Sequence, residues 1–286
     1  MMLVRVTNRP GAPNYLQQAI KKASTMNSLR ICCIAFLFSL ATIAYAGQPC
    51  EVKSGVATAA LVELYTSEGC SSCPPADRAL GELKHQAGPG ALFVPLALHV
   101  SYWDQIGWID AYAQKSFDAR QSRLLEGAKY HVVYTPQFFV GGSELRGWDP
   151  GLPAAIRKIN ATPAPLSIDL KATPAGGRAL LLEADVAAPD PATAGALYLA
   201  VSESGLETQV LRGENGGVTL KHDNAVRLLV GPIPLERGKV RVSRQIELPA
   251  AWRREHLQAV AFVQRAGSPA ILQAVSTAQC TAPQGL

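Results

Sequence analysis

The chain has 286 residues, with 27 lysines and arginines against 22 aspartates and glutamates, a formal net charge of +5. Five of those bases and no acid lie in residues 1–46, so the remainder carries 27 − 5 = 22 bases against 22 acids and is neutral, which gives no support to a basic groove for nucleic acid or an anionic membrane surface. All three methionines, Met1, Met2 and Met26, fall in the same leading stretch, which excludes a thioether copper site from the rest of the chain.

Residues 31–46, ICCIAFLFSLATIAYA, form an uncharged apolar run behind Lys21, Lys22 and Arg30 and end in the small-x-small triplet Ala44-Tyr45-Ala46. This is the pattern of a secretory signal cleaved after Ala46. The run falls short of the about 20 apolar residues of a membrane span, so no stable anchor is expected after cleavage. Met1 and Met26 are both candidate starts, and Met26 gives a leader of ordinary length. The expected destination is the periplasm or the exterior. Four cysteines follow the leader, Cys50, Cys70, Cys73 and Cys280, an even number suited to disulfides in an oxidising compartment.

From about residue 58 to 160, strand-like and helical segments alternate, as in an α/β layer structure. Leu61–Tyr65 reads as a buried strand, and Pro74 to about Gln86 as a helix with Ala76, Leu80 and Leu83 on one side. Residues 91–100 are nearly continuous in apolar side chains, as a strand covered on both faces should be. A helix is expected over about 111–125, strands at 137–140 and 144–146 around a Gly141-Gly142 turn, and a helix over about 150–159. Two prolines, Pro163 and Pro165, mark a boundary where the pattern changes. Beyond it, alternation of period two recurs near 166–171, 180–186, 196–203, 226–230, 239–248, 257–265 and 270–278, which reads as a β-sandwich. The expected organisation is a leader (1–46), a thioredoxin-like α/β domain (47–162) and a β-sandwich-like domain (163–286).

Chemistry concentrates in Gly69-Cys70-Ser71-Ser72-Cys73-Pro74-Pro75, between a strand and a helix. A CxxC opening a helix places the first sulfur near unsatisfied N–H groups and the positive end of the helix dipole, which favour a thiolate. Cys70 is then the nucleophile and Cys73 the resolving thiol. Pro74 and Pro75 are tolerated because first-turn N–H groups have no intrahelical acceptor. An inert bridge and half of a zinc site are the competing readings; a second CxxC or an HxxxH is absent from the sequence. Thr135-Pro136, just before the strand at 137–140, suits a cis proline facing the CxxC and leaving backbone groups free for a substrate strand.

The strings VELYTSEGCSSCPPADRAL, HVSYWDQIGWID, YTPQFFVGG and RGENGGVTLKHDNAVR together resemble the family catalogued as domain of unknown function 1223, exported proteins with a thioredoxin-like domain. The resemblance implies that fold and the cysteine pair, and implies no established substrate. Ordinary thioredoxins differ in carrying Trp at the place of Gly69 and Gly-Pro at the place of Ser71-Ser72. Their buried acid falls on Leu64 here. Glu63, one residue away, is a candidate proton acceptor that strand alternation turns toward the other face.

His99, Tyr102, Trp103, Asp104 and Trp108 begin where the second strand stops, the end at which open α/β sheets bind ligands. His99 and Trp103 are accordingly candidate substrate-binding residues, with core packing as the competing role of the aromatics. Glu68 opposes a thiolate at Cys70, with Arg78 a candidate offset. Cys50 and Cys280 are expected to form a structural disulfide, and Arg212–Gly217 a glycine-rich hairpin loop. The reading is an exported thiol–disulfide oxidoreductase acting on a protein or small thiol/disulfide substrate, with neither metal nor cofactor required and oligomeric state open. A non-catalytic secreted binding protein, or Cu(I) handling by the two thiolates with His99, are the alternatives.

Overall fold

The fold follows from central strands that are buried on both faces, so that each needs a cover on either side, and from outer strands that alternate between buried and less buried residues. The structure, a computed structural model, describes residues 48–126 and 131–280; the expected leader lies outside the described residues. In chain order the first half contains β1 (Cys50–Lys53), β2 (Ala60–Thr66), α1 (Pro74–Gly81), α2 (Leu83–Gln86), β3 (Phe93–His99), α3 (Lys115–Leu124), β4 (Gln137–Val140), β5 (Ser143–Glu144) and α4 (Trp148–Asn160). The second half is all strand apart from two short 3-10 turns: β6 (Ser167–Pro174), β7 (Ala179–Ala187), β8 (Gly195–Glu203), β9 (Leu206–Gln209), β10 (Thr219–His222), β11 (Ala225–Pro234), β12 (Lys239–Glu247), β13 (Leu257–Arg265) and β14 (Ile271–Ser276).

Strands dominate and form several sheets. The largest has eight strands in the order β14-β13-β8-β11-β3-β2-β4-β5. Within it β2 and β3 are parallel, linked by α1 and α2, while β4 runs antiparallel to β2 and β5 antiparallel to β4. Alternation along β2 sorts the two faces. Ala60, Val62 and Leu64 pack with Ala76 and Leu80 of α1 and with Leu152 and Ile156 of α4. Leu61 and Tyr65 point the other way, into a core shared with Phe117 and Leu124 of α3 and with Tyr198, Val260 and Phe262 of the second half. Every residue of β2 is buried, so both covers are needed.

A four-stranded sheet, β1-β6-β7-β12, packs against the large sheet. Its inward residues Ile168, Leu170, Leu180, Leu182 and Val186 meet Leu197, Leu199, Val201, Ala261 and Val263 of the large sheet, giving the sandwich core. The two halves on either side of 162/163 share this core and the large sheet. The described residues make one compact unit, in which β11 adds to the free edge of β3 through the parallel pair Ala225↔Ala97 and Ala97 N–H donates to Asn224 C=O at 2.9 Å. The sheet is thus continuous across the two halves, and β1, from the start of the chain, pairs with β6 of the second half.

Two local differences from expectation have physical causes. The helix after the CxxC breaks at Glu82, whose φ of −86° and ψ of 0° separate α1 from α2. Helix α3 starts at Lys115 and not near 111, since Asp110 is drawn into the interior and residues 111–112 form a turn. The β9–β10 hairpin, a two-stranded sheet of its own, frames the glycine-rich loop expected over 212–217. The turn at Gly141-Gly142 joins β4 to β5, and its φ values of 61° and 87° are those of a hairpin turn that favours glycine at both positions.

Candidate redox site

Strand β2 ends at Thr66 and delivers Cys70 to the turn before α1, with Cys73 as the residue preceding the helix and prolines in its first two positions. Cys70 and Cys73 are joined in a disulfide with Cα atoms 5.4 Å apart. The turn is tight: Cys70 N–H donates to Ser67 C=O at 3.2 Å and Cys73 N–H to Cys70 C=O at 3.1 Å. Both cysteines are 0% exposed while Ser71 and Ser72 between them face solvent. The Ser72 hydroxyl lies 3.3 Å from Cys70 Sγ.

Thr135-Pro136 is a cis peptide, as the sequence suggested. The β2–β4 register pairs Tyr65 with Gln137, so Pro136 falls at the end of β2 from which the chain runs into Cys70. Gln121 of α3 holds this segment by donating to Tyr134 C=O at 2.9 Å and to Gln137 Oε1 at 2.7 Å. The Thr135 hydroxyl is buried with no partner among the described residues.

Beneath the pair lies a buried polar network. His99, opposite Thr66 in the β2–β3 register, shares a 2.7 Å hydrogen bond between Nδ1 and Asp110. Asp110 also accepts from the N–H groups of Glu68 and Tyr112, both at 2.8 Å. Glu68 in turn meets His222 Nε2 at 3.0 Å and accepts from Trp108 Nε1 at 2.7 Å. The rings of His99, His222 and Tyr112 close edge to face at 4.9 to 5.4 Å. Burial disfavours charge on His99, yet the Asp110 carboxylate outweighs it and holds the imidazole above its ordinary value. Burial likewise opposes ionisation of Asp110, and His99 with the two N–H groups reverses the balance and lowers it. Asp77, one helical turn beyond Cys73, is raised mainly by burial, against the pull of His99 and His222.

The structure separates the predicted residues. Cys70, Cys73, Thr135 and Pro136 belong to one end of the sheet. Trp103 flanks the pair: a Cβ at Gly69 would sit 3.3 Å from Trp103 Cβ, so the small residue and the half-buried indole are fitted to each other. His99 reaches the expected strand end, is 1% exposed and takes a place in the buried network. Glu63, the candidate proton acceptor, is held in a buried ion pair. It lies on the face opposite α1, clamped by Arg120 of α3 through Nε–Oε1 at 2.6 Å and Nη2–Oε2 at 3.1 Å. Glu68 finds its counter-group in His222, whereas Arg78 is exposed. Cys50 and Cys280 form the second disulfide, with Cα atoms 6.1 Å apart. Among the described residues no group of three or more His, Cys, Asp or Glu side chains is placed to hold a metal ion.

Residues missed from sequence reasoning are Asp77, Asp110, Tyr112, Glu214, Asn215 and the pairing of His222. Asp110 sits in the string HVSYWDQIGWID, and Glu214, Asn215 and His222 sit in RGENGGVTLKHDNAVR, so their place in the strings that carry the family resemblance was the available signal.

A mostly β protein with a disulfide at a strand-to-helix turn, set on a buried acid–histidine network, is the class that these features define. The profile of the family described as protein of unknown function DUF1223 matches residues 61–264, and the chain belongs to that family. No curated protein matches it. Among solved structures, a crystal structure of a protein from Agrobacterium tumefaciens is 24% identical with a TM-score of 0.59, the match covering 78% of this chain and 95% of that one. HBP35 of Porphyromonas gingivalis is 15% identical with a TM-score of 0.61, covering 78% of this chain and 76% of its own. At these identities the likeness is one of fold.

Proposed function

We propose that this protein is an exported thiol–disulfide oxidoreductase built on a thioredoxin-like unit. The observation that carries the reading is the Cys70–Cys73 disulfide at the mouth of α1, at the same strand end as the cis Thr135-Pro136 bond. The order β3-β2-β4-β5, with a parallel first pair and two antiparallel additions, supports the thioredoxin-like assignment. Export is supported by the leader pattern and by two disulfides, and no helix among the described residues is long and apolar enough to cross a membrane. The expected compartment is the periplasm or the exterior.

In the reducing direction the Cys70 thiolate attacks a disulfide sulfur of the substrate, a protein or a small molecule. A mixed disulfide forms and one substrate sulfur leaves as thiolate, to be protonated by solvent. Cys73 then loses its proton and attacks Cys70 Sγ, so that the second substrate sulfur leaves and two electrons have passed from the pair to the substrate. Pro136 and Thr135 offer backbone beside the pair for an extended substrate segment. Cys70 is wholly covered in the oxidised form described here, so exchange requires its cover to move.

Titration in dithiol buffers, together with trapping in a Cys73→Ala variant, tests the reading. The expected result is a pair that reduces under moderate dithiol and a variant that captures partners through Cys70. A bridge untouched by such reductants, with no adducts recovered, refutes it.

A further inference from the structure

The loop between β9 and β10 reaches the redox turn itself. Glu214 accepts from the Ser71 N–H at 3.0 Å and from the Ser71 hydroxyl at 2.7 Å. Asn215, 7% exposed, donates through Nδ2 to Glu68 C=O at 2.8 Å and to Cys70 C=O at 3.1 Å. The loop is braced internally, with Gly217 N–H on Val210 C=O at 2.8 Å and Gly216 N–H on Gly213 C=O at 3.1 Å. Behind it, His222 of β10 holds Glu68.

We propose that Glu214 is a positioning residue of the redox pair that biases it toward the disulfide, and that Asn215 latches the same loop over the turn. The inference rests on the reading above that the pair is redox-active. Its physical basis is a count of donors. A thiolate on Cys70 draws on N–H groups at the start of α1, but Pro74 and Pro75 have none. The N–H groups of Ala76 and Asp77 go to Cys73 C=O at 2.9 and 3.1 Å, and that of Cys73 goes to Cys70 C=O. Ser71 supplies one of the few amides left, and the Glu214 carboxylate takes it. The same carboxylate brings negative charge beside the residue next to Cys70, and its two hydrogen bonds from Ser71 hold its own pKa below the ordinary value. Both effects disfavour the Cys70 thiolate, hence the reduced form. Because Glu214 is solvent-exposed, salt screens the charge part of the effect.

The half-reaction balances with a dithiol such as dithiothreitol. The Cys70–Cys73 S–S bond takes two electrons, dithiothreitol leaves as its cyclic disulfide, and its two protons go to Cys73 and to solvent while Cys70 stays a thiolate.

The test is the equilibrium of the full chain with dithiothreitol, measured alongside the thiolate titration of Cys70, for wild type, Glu214→Gln and Glu214→Lys. The expected result is a lower Cys70 pKa and an equilibrium constant for reduction raised about three- to tenfold in Glu214→Gln, about 15–30 mV for a two-electron couple. Glu214→Lys moves both in the same direction and further. Equal constants and pKa values, within a factor of about two, for all three proteins overturn the role of Glu214 while leaving the redox reading intact. A wild-type pair that does not reduce at all overturns the redox reading instead.

Discussion

Replacing Arg120 with Met tests the assignment of Glu63 as half of a structural ion pair. Arg120 is 2% exposed and Glu63 0%. The guanidinium makes two bonds to the carboxylate, a third from Nη1 to Gln264 Oε1 at 3.3 Å, and lies 4.9 and 5.0 Å from the ring centroids of Tyr198 and Phe262. Burial works against the charge of Arg120, and Glu63 more than compensates, holding the guanidinium above its ordinary value. Arg120→Met leaves the carboxylate buried with only the Tyr65 hydroxyl, 3.3 Å away, to satisfy it. Breaking such a pair from one side costs about 3–5 kcal/mol, whereas replacing both partners with apolar side chains is often neutral. With a urea slope of about 3 kcal/mol/M, the midpoint falls by about 1–1.7 M in the single variant. The Glu63→Leu/Arg120→Met double variant recovers most of the loss and keeps the wild-type rate of disulfide reduction at Cys70–Cys73. A single variant that loses less than about 1 kcal/mol, or a double variant as unstable as the single, refutes the ion-pair argument. A double variant that folds well but exchanges slowly returns Glu63 to the chemistry.

Other expectations follow from the same geometry. The Cys50–Cys280 bridge spans 230 residues, and in the loop-entropy account its removal by Cys50→Ala/Cys280→Ala costs up to about 5 kcal/mol, read as a fall in the urea midpoint; an unchanged midpoint contradicts that account. Gly142→Ala drives a Cβ into the Pro269 carbonyl oxygen at a φ of 87°, whereas at Gly141 the Cβ meets the flexible end of Ile159. Thermal melts are therefore expected to show Gly142→Ala losing more than about 2 kcal/mol and Gly141→Ala less, and the reverse order would be inconsistent with the backbone approach. The His99–Asp110 pair gives a signed pH dependence. His99 is raised above 6.5 in the folded state, so its contribution is full below that value and is lost as pH rises through the folded pKa; Asp110 is lowered below 3.8, so its contribution holds above that value and is lost as pH falls through its own folded pKa. Asp77, raised from 3.8, works against stability once it ionises. Urea unfolding at a series of pH values should show an alkaline decline that His99→Asn removes, and a decline of equal size in the variant would assign it to another group.

Features that depend on neighbours along the chain were legible in the amino-acid order. The strand-turn-helix context of Cys70 and Cys73, the proline before β4 and the period-two strands of the second half could all be read because local periodicity and turn chemistry carry that information. Strand parity even turned Glu63 away from the pair. The remaining features depend on pairing between distant segments. Whether β11 adds to β3, making one sheet across the proline boundary, is settled by edge hydrogen bonds that leave no periodic trace. That single pairing carries β10 and its loop to the CxxC, and with them His222, Glu214 and Asn215, more than 140 residues along the chain from the cysteines. It also explains why His99 is interior: an imidazole at the end of β3 would face solvent were the neighbouring edge not occupied. Burial of a polar side chain is decided by what covers it, and here the cover comes from the other half of the chain.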